Sequence, residues 1–322
     1  MAHPHPTEAR FPGVPSEAGH YESFYLKACQ QGGGRGVWIR YTVHKRPGAA
    51  PTGSLWFTLF DATAGGPRAQ KRTLSGPAAG GGDWIRVGEA AMGEGRATGA
   101  LEGLAWELRF DGSERPLFHL PRGWMYRARL PRTKLLSPVP AARFDGALEV
   151  DGRTIGVDGW RGMVGHNWGA QHAERWIWLH GVTEAGDWLD AAIGRVRLGR
   201  LTTPWIANGA LSLGGVRHAL GGLLRRPEVD ETPERCEFAL PGPDVRVRGV
   251  AEAAREQVVG WVYADPDGGE HHTANCSIAD MRLEIERDGR PPVELVVPGS
   301  GAYELGMRER DHGIALQPFP DG

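Results

Sequence analysis

Apolar residues recur at every second position through much of this chain. Val37, Ile39, Tyr41 and Val43 fall on one side of a run whose other side carries Trp38, Arg40, Thr42 and His44, as in a half-buried strand. Leu55 to Phe60 alternates too, but Trp56 and Phe60 oppose Leu55, Phe57 and Leu59, so both faces are apolar. Two apolar faces suit a strand set between a core and a lined cavity. Leu104, Trp106, Leu108 and Phe110 repeat the period with Glu107 and Arg109 between them. The same texture predicts strands over Phe24 to Ala28, Ala147 to Val150, Trp176 to Val182, Trp188 to Val196 and Pro204 to Leu213. It continues at Val245 to Gly249, Val258 to Ala264, Met281 to Glu286 and Val293 to Val297, and only Val250 to Val259 could be a short helix instead.

Strands separated by short turns, with no helix long enough for a parallel crossover, predict an all-β, antiparallel chain of barrels or sandwiches. Composition agrees, since 48 Gly and 24 Pro break helices while 12 Trp, 9 Phe and 6 Tyr supply a core that a disordered chain lacks. About a dozen strands exceed what one small barrel needs. The 322 residues therefore divide into an arm rich in Pro and His over residues 1–18, a domain over 19–170 and a second over 171–322. No repeat is visible between the two halves.

Charge and motifs exclude several function classes. The 37 basic and 39 acidic residues balance to −2, without the basic stripe of a nucleic-acid binder. No run of 18 apolar residues marks an integral membrane segment, and the first residues do not read as a secretion signal. Cys29, Cys236 and Cys276 are odd in number and far apart, which fits a reduced, cytoplasmic location. No phosphate-binding loop, nucleophile elbow or H-E-x-x-H is present, so no cofactor is expected. His271, His272 and Cys276 lack a second pair at zinc spacing, and adjacent strand residues face opposite ways, so no metal is expected either.

The densest chemistry lies between Gly162 and Gly181, for five of the 12 Trp fall between Trp160 and Trp188. On a strand, Trp176, Trp178 and His180 share one face and Ile177 and Leu179 the other. Two indoles ending in an imidazole make an apolar wall with one orienting group, suited to a hydrophobic ligand. His166 is bracketed by glycines that would permit a bend re-aiming its ring, and an imidazole can act as acid and base near neutrality. Glu174 or Asp187 would orient it, and Asn167 would donate to a developing anion.

Gly159-Trp160-x-Gly162-x-x-Gly165-His166-Asn167-Trp168-Gly169 resembles the central motif of the superfamily of carotenoid 1,2-hydratases, tocopherol cyclase and lipocalin-like Diels–Alderases. Glu22-Ser23-Phe24-Tyr25-Leu26, the Trp38 strand, and Phe144-Asp145-Gly146 to Asp151-Gly152 support the likeness. The resemblance implies two lipocalin-like antiparallel β-barrel domains. It implies water addition, cyclisation or pericyclic closure without metal or nucleotide, with His166 in the place of the proton-donating His. That motif typically has Asp before the His, where this chain has Gly165.

The expectation is a cofactor-independent hydratase, cyclase or isomerase acting on a hydrophobic, isoprenoid-like molecule by acid–base chemistry at His166. Tyr25, Trp38, Trp56, Trp168, Trp176 and Trp178 would line the cavity; His172 and His180 are secondary acid–base candidates. Tyr263, His271, His272 and Asn275 would come from the second domain. Aromatic faces could stabilise a cation by roughly 0.5–2 kcal/mol each. The alternative keeps the cavity without the chemistry, as an intracellular carrier of a lipid or pigment. The oligomeric state is left open.

Overall fold

The computed structural model describes residues 2–317; positions 1 and 318–322, at the outer ends of the expected arm and second domain, lie outside it. Strands dominate, and the only helical turns among the described residues are three 3-10 turns, at Phe11–Gly13, Gly123–Tyr126 and Arg255–Gln257. The segment that could have been a helix continues a strand to Glu252 and contributes only the last of these turns.

Two curled antiparallel sheets account for nearly all strands. In the first, Arg68–Ser75, Thr52–Asp61, Arg35–Lys45 and His20–Cys29 follow as a meander, and His20–Cys29 then pairs with Arg153–Gly169. That strand returns through Thr133–Val150, an 18-residue strand, to Leu104–Asp111 and the shorter strands between residues 78 and 101. The second sheet repeats the plan. Val216–Gly221, Ile206–Leu213, Trp188–Arg195 and Arg175–Val182 meander, Arg175–Val182 pairs with Arg290–Met307, and Glu270–Arg287 leads on to Val245–Glu252. In each half the first long strand pairs with the last, which curls the sheet into a lipocalin-like β-barrel left open between its edge strands, Arg68–Ser75 and Ala78–Gly80 in the first half, Val216–Gly221 and Glu228–Glu231 in the second. The repeat absent from the letters is thus present in the topology.

Residues on the two faces sort as period two requires. Phe24, Leu26, Val37, Ile39, Tyr41, Val43, Leu55, Phe57 and Trp106 fill the first barrel. A second cluster, including Ile177, Leu179, Ile193 and Leu305, fills the other barrel and also takes in Trp38, Trp56, Phe60 and Met163 from the first half. The opposite face of the first-half strands therefore packs on the second barrel, which explains the two apolar faces of Thr52–Asp61. Across this junction Trp56 meets Trp261 edge-on at 5.1 Å between ring centroids, and Lys27 donates to the carbonyl of Ser300. The arm is tied down where composition suggested a loose one. The backbone N–H groups of Arg10 and Phe11 donate to Glu22, and Lys45 donates to the carbonyls of Pro15, Ser16 and Ala18.

Candidate functional site

A cavity of about 380 Å³ lies where the first barrel's outer face meets Arg175–Val182 and Trp188–Arg195 of the second. Tyr25, Trp38, Asn167, His172, Trp176, Trp178 and Tyr263, all anticipated from the sequence, line it. The segment from Leu120 to Leu135 and the tips at Leu198 and Leu223 complete its wall. Most of the lining is apolar, with the polar groups Arg40, Thr133, Asn167, His172, Asn208 and Glu304 set into it.

Glycines make room for the aromatic wall. Tyr25 stands opposite Gly165 in the strand register, and a Cβ on Gly165 would lie 2.1 Å from the Tyr25 ring. Trp176 stands opposite Gly306 in the second barrel, where a Cβ would again meet the ring at 2.1 Å. Both halves use one device, an aromatic side chain of the first strand folded across a glycine of the last. Gly165 therefore serves the Tyr25 ring; the strand is continuous through it, and its pairing with Thr133–Val150 slips register there, between Val164 and His166.

His172 is the imidazole in the cavity wall. Its backbone N–H and its Nδ1–H both donate to Asp265 Oδ1 at 2.7 Å, while Nε2 is buried without a protein partner. Its ring stacks on Tyr21 at 4.0 Å and on Trp176 at 5.5 Å. Burial lowers its pKa below 6.5 against the opposing pull of Asp265, so at neutral pH it is the uncharged imidazole. Asp265 fixes the tautomer, leaving the Nε2 lone pair free to take a proton. Facing it, Glu304 accepts from Trp176 Nε1 at 2.9 Å and from Tyr263 Oη and Asn275 Nδ2 at 3.0 Å. Burial and the neighbouring Glu304 raise the Tyr263 phenol well above 10, which keeps it a donor.

Other expected residues lie elsewhere. His166 alternates with Asn167 along its strand, so Asn167 reaches the cavity and His166 points into the first barrel. There its ring is 0% exposed and stacks on Phe24 at 3.9 Å. Its Nε2 meets Glu22 Oε1 and its Nδ1 the carbonyl of Pro6, each at 2.8 Å. Glu22 and Pro6 thus engage both ring nitrogens, and His166 is not among the residues that line the cavity. The carboxylate beside it is Glu22, not Glu174 or Asp187. Glu174 pairs with Arg308 and Arg197, and Asp187 ties two neighbouring turns together by accepting from the N–H of Gly214. Trp168 shares the His166 face and packs with Leu120, Tyr126 and Leu136, away from the cavity.

Trp56 backs the cavity, edge-on to Tyr263 at 5.6 Å. His180 lies one step too far along its strand and meets the carbonyl of Pro140 at the barrel junction, where burial lowers its pKa to about 4. Asn275 supports Glu304 from behind. His271 stands behind Trp176 and 3.8 Å from Asp265, whereas His272 faces the other way and bonds His312, as alternation requires. His172, Asp265 and His271 are close enough to share an ion; Asp265 Oδ1 holds the two His172 donors, whereas Asp265 Oδ2 and both nitrogens of His271 are buried without a hydrogen-bond partner.

Sequence reasoning missed Arg40, Asp265, Glu304 and Glu22. Arg40 was seen only as the polar half of an alternation. Asp265 sits in a turn motif, Asp265-Pro266-Asp267-Gly268-Gly269, that reads as exposed, yet its side chain is buried.

Fold and site together define a two-barrel, lipocalin-like protein with an aromatic cavity at the barrel junction. No family model matches the sequence. An uncharacterized protein of Mycobacterium tuberculosis, Rv0493c in strain H37Rv, is 29% identical over 98% of this chain and 93% of its own. Among solved structures, CghA in complex with Sch210972 has a TM-score of 0.59 at 13% identity, covering 95% of this chain and 96% of that one. A protein described as an AttH, from Nitrosomonas europaea, has 0.58 at 12% identity, covering 96% and 99%. Kievitone hydratase from Nectria haematococca has 0.56 at 11%, covering 90% and 89%. These likenesses show the fold.

Proposed function

We propose that this protein is a cofactor-independent enzyme of the hydratase, cyclase or isomerase type, acting on a hydrophobic small molecule with an isoprenoid-like or similar carbon skeleton. The observation that carries this reading is His172. A largely apolar cavity, walled by aromatic and aliphatic side chains, contains a neutral imidazole whose Nδ1 is fixed by Asp265 and whose Nε2 has no protein partner. That is a general base, and after protonation a general acid, set in an apolar wall. The hydratase among its fold neighbours supports the reaction class, and three buried, unpaired cysteines support residence in the cytoplasm. Among the described residues no helix is long and apolar enough to cross a membrane.

The role expected of His166 passes in this reading to His172, which takes a proton at Nε2 and returns it as the acid, while Tyr263, whose hydroxyl donates to Glu304, shapes the opposite wall. Because burial lowers the His172 pKa, the base form survives to below pH 6.5, and activity falls only on the acid side of that value.

Native mass spectrometry of the purified protein would identify a co-purified cavity ligand, and turnover of that ligand would then be measured. His172→Ala is expected to slow conversion by about 10²–10⁴-fold while leaving affinity within a few-fold. Oxygen-labelled water separates hydration from ring closure. Binding without conversion by the wild type would make the protein a carrier.

A further inference from the structure

The acid–base reading leaves one charged group in the cavity without a task. Arg40, from the strand Arg35–Lys45, lines the cavity and is 5% exposed. Its guanidinium lies over the Tyr263 ring, 4.3 Å from the centroid, and 5.8 Å from that of Trp56. No carboxylate among the described residues comes within 4.0 Å of its nitrogens, and Nε has no hydrogen-bond partner; the neutral Tyr263 hydroxyl is the polar group it engages. The protein's other buried cations are differently placed. Lys27 is spent on the carbonyls of Ser300 and His180, Lys45 on three carbonyls of the arm, and Lys134 on the carbonyl of Pro131. Glu304, the carboxylate in the same cavity, has both oxygens engaged by Trp176, Tyr263 and Asn275.

A guanidinium cannot shed its proton to escape burial, so an unpaired one in an apolar wall is a standing cost that an anion would offset. Attraction to a ring does not neutralise the group, and its N–H donors still present the fork that a carboxylate accepts. We propose that Arg40 anchors a carboxylate of the substrate, which is therefore an apolar acid whose hydrocarbon body fills the aromatic cavity and whose head group sets its register against His172. This rests on the cavity being the substrate site.

Fluorescence titration with cis-parinaric acid and with its methyl ester, two probes of one chain differing only in charge, tests the anchor separately from the cavity. The acid is expected to bind wild type roughly tenfold or more tightly than the ester. Arg40→Met should abolish that preference while leaving ester affinity unchanged, the ester serving also as the check on folding, and Arg40→Lys should restore part of it. Equal affinities in wild type, or a preference that survives Arg40→Met, overturn the anchor and leave the cavity standing. If the Met variant does not fold, the wild-type comparison with Arg40→Lys decides. Binding of neither probe overturns both the anchor and the proposed site.

Discussion

Glu22 is 0% exposed and accepts from the backbone of Arg10 and Phe11, from His166 and from His20. Burial alone would raise its pKa, but the hydrogen bonds from His166 and His20 overcome it and hold the carboxyl at about 2. The folded value lies below the unfolded one, so the stabilisation is complete above about pH 4.5 and is lost as pH falls toward 2. The difference corresponds to about 3 kcal/mol. Glu22→Gln removes the charge and should cost about that much at pH 7 while flattening the acid limb of stability. Urea unfolding at pH 7, 4 and 2.5 measures this. An unchanged acid limb in the variant would mean that another carboxylate governs acid unfolding. Because Glu22 also pins the arm, residues 3–12 should become protease-sensitive in the variant.

Among the elements, the long strands Arg153–Gly169 and Arg290–Met307 carry the aromatic-over-glycine pairs. Gly165→Ala and Gly306→Ala place a methyl within about 2 Å of the Tyr25 and Trp176 rings, so each ring must swing away from the cavity wall. Overpacking of this kind costs roughly 1–3 kcal/mol. Trp176 would also lose its bond to Glu304, so Gly306→Ala should weaken probe binding more than its stability loss explains, as parallel melting and titration would show. This is also where the sequence was least legible. Alternation located most strands and separated Ile177 and Leu179 from Trp176 and Trp178. It could not show that the Gly-rich central motif is one continuous strand, with register slips at Gly165 and Gly159, because glycines that admit a neighbouring ring look the same in sequence as glycines that bend the chain. Nor could it show on which side of that strand the cavity lies, and a one-residue difference moves the site from His166 to Asn167.

For the whole molecule, the candidate site depends on two barrels staying docked. Seven of the anticipated residues do converge on one cavity, because local periodicity fixes which face an aromatic occupies. Arg40, Asp265 and Glu304 were invisible for the opposite reason, since each meets a partner remote in the chain: Tyr263 for Arg40, His172 for Asp265 and Trp176 for Glu304. Tyr263, from the second half, covers the guanidinium of Arg40, from the first. Trp38 belongs to this junction, lining the cavity, packing 6.4 Å from Trp261 and sitting in the second barrel's core cluster although it comes from the first barrel. Its removal should therefore not be felt by one barrel alone. Trp38→Ala is expected to destabilise by about 3–5 kcal/mol, the cost of deleting a buried indole. It should shift unfolding monitored by far-ultraviolet circular dichroism and by tryptophan fluorescence to the same lower denaturant concentration, as a single cooperative unit requires. If the two signals separate, with one transition moving and the other staying, the barrels fold independently. The cavity between them would then be an opening that can come apart rather than a fixed site.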